Sequence, residues 1–209
     1  MAIAQNPLTG KMSGSVANFV TSVYRGKNVV KSKAFMPKDA NSEAQQVHRS
    51  IFKLLCDEYK SVKELVTDGF PQRPPDQTPY NSFISENFSE AIDTAGGTPK
   101  IDYTKMKVSL GSLEGVRVTA AEVVAGGVKI SYDTKIRYND ALAEDMVMAL
   151  VKRTDGERYV VKKERGTAET DSILLPAVGT NKEDIVYIYL IVVAPARQKA
   201  SETVYVKVA

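Results

Sequence analysis

Ser42 to Val66, SEAQQVHRSIFKLLCDEYKSVKELV, constrains the fold more than any other stretch of the chain. Ala44, Val47, Ile51, Leu54, Leu55, Tyr59, Val62, Leu65 and Val66 recur at three- and four-residue steps. That spacing draws one apolar stripe down a long helix, so something must be packed along most of its length. Ser42 with Gln45 predicts a capping-box start, and Gly69 followed by Pro71 predicts the stop.

A second, shorter helix is expected after the extended connector QRPPDQTP, with Thr78 as its cap and Pro79 in its first position. Tyr80, Phe83, Ile84 and Phe88 share one face of it and should pack on the long helix. The AGGTP stretch, Ala95–Pro99, predicts a domain boundary. From Lys100 the period changes from 3.6 to 2. Met106/Val108/Leu110, Val128/Ile130/Tyr132, Met146/Met148/Leu150, Tyr159/Val161, Ile173/Leu175 and Val204/Val206/Val208 alternate with polar residues. Val116–Val124 and Ile185–Val193 add two more strands, and the second is apolar on both faces, hence central. Short strands separated by glycine and Asp-Gly turns predict an antiparallel β-sandwich of immunoglobulin or fibronectin III style, without the tryptophan or cysteine pair of antibody domains. The fold class expected is therefore α+β: an N-terminal β-hairpin arm over residues 1–40, a helical segment over 41–95 and the sandwich over 100–209.

Charge is distributed unevenly. The chain has 28 basic and 25 acidic residues; six bases and one acid lie in the first 40 residues, which leaves 22 and 24 for the rest. Val16–Tyr24 and Asn28–Ala34 predict two strands joined at Arg25-Gly26-Lys27, and a two-stranded ribbon is marginal alone. Met1–Thr9 is expected to order only against a partner. Arg25, Lys27, Lys31 and Lys33, with Tyr24 nearby, form the candidate nucleic-acid-binding set. Two other readings compete with it: solvated lysines that blunt an exposed strand edge, and an arm that reaches an acidic surface of a neighbouring subunit.

Glycine-rich and Arg-Gly elements at Gly10, Gly14, Tyr24-Arg25-Gly26 and Val29-Val30-Lys31-Ser32 lead to Glu43-Ala44-Gln45-Gln46 with Arg49 and Phe52. Tyr80-Asn81-Ser82-Phe83, Leu110-Gly111-Ser112-Leu113 and Ser201-Glu202-Thr203-Val204-Tyr205 follow. With these motifs the chain resembles an uncharacterised family of Bacteroidota and of their mobile elements, domain of unknown function 6266. It differs from the usual pattern at Lys31, where arginine is typical, and at Tyr132, where tryptophan is. The resemblance implies an architecture and no activity.

Catalytic chemistry is thinly represented. Cys56 is the only cysteine and sits among Phe52, Leu55 and Tyr59, so a buried, inert thiol is expected. His48, the only histidine, should be solvated, and a two-histidine metal site is excluded. Asp57, Glu58 and Glu64 are spaced as a helix's wet face, and Asp140, Glu144 and Asp145 offer a weak calcium-like cluster without a glycine-hinged loop. No cofactor, no metal and no membrane span are implied. The N-terminus does not look like a signal peptide, so a cytoplasmic or virion location is expected. These features point to a non-enzymatic structural protein, a phage or phage-like virion component that forms homo-oligomers or joins other subunits through its N-terminal arm. The alternatives are a nucleic-acid-binding protein and a ligand- or surface-binding sandwich module.

Overall fold

The computed structural model describes residues 2–4, 10–36, 39–137, 140–177, 179 and 181–208. The chain forms two compact units, Met1–Ser42 and Glu43–Ala209.

In the first unit, β1 (Ala2–Ala4), β2 (Gly14–Val16), β3 (Phe19–Tyr24) and β4 (Lys27–Ser32) form an antiparallel sheet in the order β1-β4-β3-β2. Tyr24 pairs with Lys27 across a two-residue turn, and both turn residues are left-handed, Arg25 at φ 49° and Gly26 at φ 77°. That geometry matches the twist of the flanking strands. The run read as one strand, Val16–Tyr24, is itself a hairpin: Val16 pairs with Phe19 and the chain turns at Ala17-Asn18, with Ala17 at φ 48°. The expected two-stranded ribbon is thus a four-stranded sheet, because Ala2–Ala4 and Gly14–Val16 supply the outer strands from the same chain. The remainder of the expected arm, 1 and 5–9, lies outside the described residues.

The second unit opens with α1 (Glu43–Gly69) and α2 (Pro79–Asn87). The Thr78 side chain accepts a bond from the Asn81 backbone N–H and Pro79 occupies the first turn, as predicted. Tyr80 and Phe83 pack on Tyr59, with ring centroids 4.8 and 5.8 Å apart, and Phe88 lies 4.6 Å from the His48 ring. The AGGTP stretch is no domain boundary. It is the turn of a hairpin between β5 (Ile92–Asp93) and β6 (Lys100–Ile101), whose isoleucines pack against the same core as the helices.

Eight strands in two packed sheets follow. β7 (Arg117–Val124), β8 (Gly127–Asp133) and β11 (Thr170–Leu175) make a three-stranded sheet, order β11-β8-β7. β9 (Met146–Arg153), β10 (Arg158–Glu164) and β12 (Ile185–Ala194) form the other in the order β10-β9-β12, and β12 also pairs with the short β13 (Lys199–Ala200) and β14 (Val204–Tyr205). All pairings are antiparallel.

The alternation along β9 and β12 explains the layering. Val147, Ala149, Val151, Ile188, Leu190 and Val192 face the three-stranded sheet in one hydrophobic cluster. Met148, Leu150, Tyr187, Tyr189, Ile191 and Val193 face α1 and α2 in another. Strands buried on both faces read as continuous apolar runs, as β12 does. Helices, five-stranded sheet and three-stranded sheet therefore stack as three layers, and the helical segment is the third layer of the sandwich body rather than a domain of its own.

One expected strand is absent. Met106 and Val108 are buried, but the chain from 102 to 116 is irregular. Its backbone is satisfied by a side chain: the Val108 and Ser109 N–H groups both donate to Thr203 Oγ1, at 2.8 and 2.9 Å.

Candidate functional site

Cross-strand partners in an antiparallel sheet share a face, which sorts the N-terminal residues into two sets. Lys27 faces with Tyr24, Lys31 with Val20, and Val29 with Ser22. Lys33 continues the alternation just beyond β4, where its N–H donates to the Asn18 carbonyl at 2.7 Å. Arg25 sits in the turn, its guanidinium 5.3 Å from the centre of the Tyr24 ring. Arg25, Lys27, Lys31 and Lys33 are all exposed, so the structure gathers the candidate set along one strand and its turn. The opposite face carries Val16, Phe19 and Val23, which are 66%, 56% and 37% exposed. Towards the turn that face is closed by Asn28, whose side chain donates to the Gly10 carbonyl and accepts from the Met12 N–H.

In the second unit, three distant segments converge. α1 ends on Gly69, whose carbonyl accepts the Leu110 N–H; a Cβ there would lie 2.5 Å from the Val108 carbonyl oxygen, so only glycine allows the approach. The Leu110–Leu113 segment is held by Gln72, which accepts the Ser112 N–H, and by Ala200, which accepts the Leu113 N–H. Ser201 exchanges bonds with Val192, and Thr203 Oγ1 donates to the Ser109 carbonyl besides its two acceptances. The signature segments at 110–113 and 201–205 are therefore clamped together through backbone. A cleft opens on either side of this junction. One, about 490 Å³, has Glu114, Arg117, Arg137 and Glu202 on its walls; Arg137 is paired to Asp133 at 2.6 Å. The other, about 330 Å³, lies between the end of α1 and the Pro195–Arg197 turn.

A third cluster was not legible as a site. Glu58 is buried within the helix–sheet layer, not on the wet face expected for it. It bonds Lys152 Nζ at 2.8 and 2.9 Å, accepts the Tyr187 hydroxyl at 2.5 Å and the Tyr103 hydroxyl at 3.4 Å. Tyr187 stacks between Tyr103 and Tyr189, at 4.9 and 4.7 Å, and lies directly across from Lys152 in the β9–β12 ladder. Burial, reinforced by the Glu58 charge, pushes the Tyr103 hydroxyl up to about 12 and raises Tyr187 and Tyr189 as well. One signal pointed here: Glu58 occupies the stripe position between Leu55 and Val62. A carboxylate in a core stripe requires a buried cation or donors.

The other titratable candidates have structural partners. Cys56 is half-buried rather than fully enclosed, and its Sγ lies 2.8 Å from the Tyr80 hydroxyl; that bond pushes Tyr80 up to about 12. In the acidic loop, Asp145 is buried, bound to the Arg197 guanidinium and to the Leu142 N–H, while the Asp140 carbonyl accepts a second Arg197 donor. The guanidinium takes the place a cation would need. Among the described residues no group of three or more His, Cys, Asp or Glu is arranged to hold a metal ion, and no helix is long and apolar enough to cross a membrane.

Two helices layered on antiparallel sheets, with a separate small N-terminal sheet, define an α+β protein whose C-terminal part is mostly β. The chain belongs to a family of unknown function, DUF6266, whose model matches residues 11–207 and so covers the basic hairpin, both helices and the clamped junction. No curated protein and no solved structure matches it.

Proposed function

We propose that the protein is a non-enzymatic structural subunit that associates with further copies of itself through its N-terminal sheet. The bare apolar face of that sheet carries the reading. Val16, Phe19 and Val23 are large, exposed and on one side, around the buried Thr21, and exposed apolar residues gathered on one face suit an interaction surface. Charge favours a second copy as the partner: residues 1–40 hold five more bases than acids, whereas the remainder has two more acids than bases. The clamped junction, with its side chains spent on backbone, suits a rigid body that is assembled rather than one that turns over substrate. The strand order also supports this: first, second and fifth strands in one sheet and the rest in the other is the arrangement we read as fibronectin III-like. A phage-like particle is one setting for such a subunit, and neighbouring capsid, portal or tail genes would identify it.

Light scattering on the full chain tests the reading. Wild type is expected to exceed the monomer mass, and Val16→Ser with Phe19→Ser to return it to monomer with unchanged circular dichroism. A wild-type monomer at all concentrations would sink it.

The opposite face supports a second reading. Lys27 lies directly across from Tyr24 there and Lys31 follows on the same face, a basic strip with an aromatic at its turn end that suits the backbone and bases of a nucleic acid. Binding by about four bases would give a log–log salt slope of roughly −3 to −4, and Lys27→Ala with Lys31→Ala would lower it. No binding at low salt removes this reading.

A further inference from the structure

We propose that the cleft between the end of α1 and the Pro195–Lys199 turn binds a small organic carboxylate, an anionic group carried on a compact apolar body. Its volume, about 330 Å³, falls at the lower end of small-molecule sites. Two segments more than a hundred residues apart build it, one from the α1–α2 connector and one from the end of β12. The walls are pyrrolidine rings: Pro71, Pro74 and Pro75 face Pro195. Proline fixes φ, so these apolar walls keep their shape without a ligand, and a pre-formed site loses little entropy on binding.

Cations are already in place. The Arg73 guanidinium is held by two backbone carbonyls, with Nε donating to Gln77 at 2.9 Å and Nη1 to Phe70 at 2.8 Å. Those bonds fix the fork, while Nη2 takes no bond from the described residues. With those donors spent, Nη2 offers a charge-assisted donor of fixed orientation to one carboxylate oxygen. Lys199 adds a second positive charge; its only acidic neighbour among the described residues, Asp140, is 3.8 Å away, too long for a firm bond. The one acid on the cleft wall, Asp68, is already engaged by Lys162 at 2.8 Å. Gln198, between the two segments' contacts, is held left-handed at φ 51°, a strained conformation that the turn maintains beside the cleft. A largely polar cleft with proline rings on its walls, two cations and its acid engaged selects a negative group with a small hydrophobic body.

Saturation-transfer NMR on the full chain, with benzoate as the probe and benzamide as its neutral counterpart, tests this. Benzoate is expected to bind saturably with Kd of roughly 1 mM, ordinary for a fragment of that size. Benzamide should bind at least about fivefold more weakly, and Lys199→Gln should weaken benzoate by about fivefold, the scale of one half-exposed charge pair. Arg73→Gln should do the same; should that variant fail to fold, Lys199→Gln and the benzamide comparison decide. Equal binding of benzamide, an unchanged affinity in Lys199→Gln, or no saturation at about 20 mM benzoate would each overturn the proposal.

Discussion

Glu58 of α1 and Lys152 of β9 meet at 2.8 Å, 94 residues apart in sequence, with their side chains only 7% and 18% exposed. The pair fastens the helical layer to the central sheet where three tyrosines close over it. Removing one partner of a buried pair strands the other charge, which costs about 3–5 kcal/mol. Glu58→Ala is expected to lower stability by about 3 kcal/mol or more, read as a shift in the urea midpoint. A loss below about 1 kcal/mol would mean that Lys152 finds water and the pair is no anchor. Replacing both together, Glu58→Leu with Lys152→Met, should recover only part of the loss, because the buried Tyr187 hydroxyl then loses its acceptor.

The tyrosines around this pair set an alkaline limit. Tyr103 is raised from 10.0 to about 12, mainly by burial, and Tyr187 and Tyr189 are raised for the same first reason. Between pH 10 and 12 the unfolded chain has released these protons while the folded chain still holds them, so the folded state binds more protons and stability falls as pH rises. Below about pH 10 the contribution is complete. Unfolding free energy should be level to about pH 9 and decline steeply above 10, with the ionisation of Tyr103, Tyr187 and Tyr189, followed by tyrosine ring NMR, appearing only as the protein unfolds. Ionisation of Tyr103, Tyr187 and Tyr189 near pH 10 in a fully folded protein would contradict their burial.

How far the sequence foretells this arrangement depends on how local each signal is. The α1 stripe, the Thr78–Pro79 start of α2 and the Arg25–Gly26 turn are short-range devices, and each lies where the pattern placed it. β12, apolar on both faces, declared itself central, yet what covers its second face is not written in β12. Alternation at Met106 and Val108 records burial, and burial alone does not make a strand: the backbone there is satisfied by Thr203, 95 residues away from Val108. Glu58 has the charge of a wet-face residue, but its place on the stripe between Leu55 and Val62 puts it in the core. The 330 Å³ cleft joins two segments whose proximity only the folded chain reveals.

Tyr132 offers a different kind of test. It is wholly buried in the core between the two sheets, and its hydroxyl finds no hydrogen-bond partner among the described residues. Burial, with Asp171 adding to it, pushes that hydroxyl up to about 12. An unpaired buried hydroxyl costs about 1–3 kcal/mol. Tyr132→Phe removes it without altering the ring, so the variant should be more stable than wild type by about 1 kcal/mol. Destabilisation by the same amount would reveal a bound water serving the hydroxyl.

The last expectation concerns the two units. Among the described residues, every member of both hydrophobic clusters lies at position 47 or beyond. Deleting residues 1–42 should therefore leave a cooperatively folding protein whose urea midpoint lies within about 0.5 kcal/mol of the full chain, the scatter of changes outside a core. The same deletion removes the face formed by Val16, Phe19 and Val23, together with six basic residues and one acid. If that face joins copies, the truncated protein must run as a monomer at concentrations where the full chain does not. The two measurements separate the outcomes. A folded monomer supports assembly through the sheet, whereas a folded oligomer assigns the interface to the layered body. A truncated chain that loses several kcal/mol of stability would instead make the sheet a structural partner of its own body.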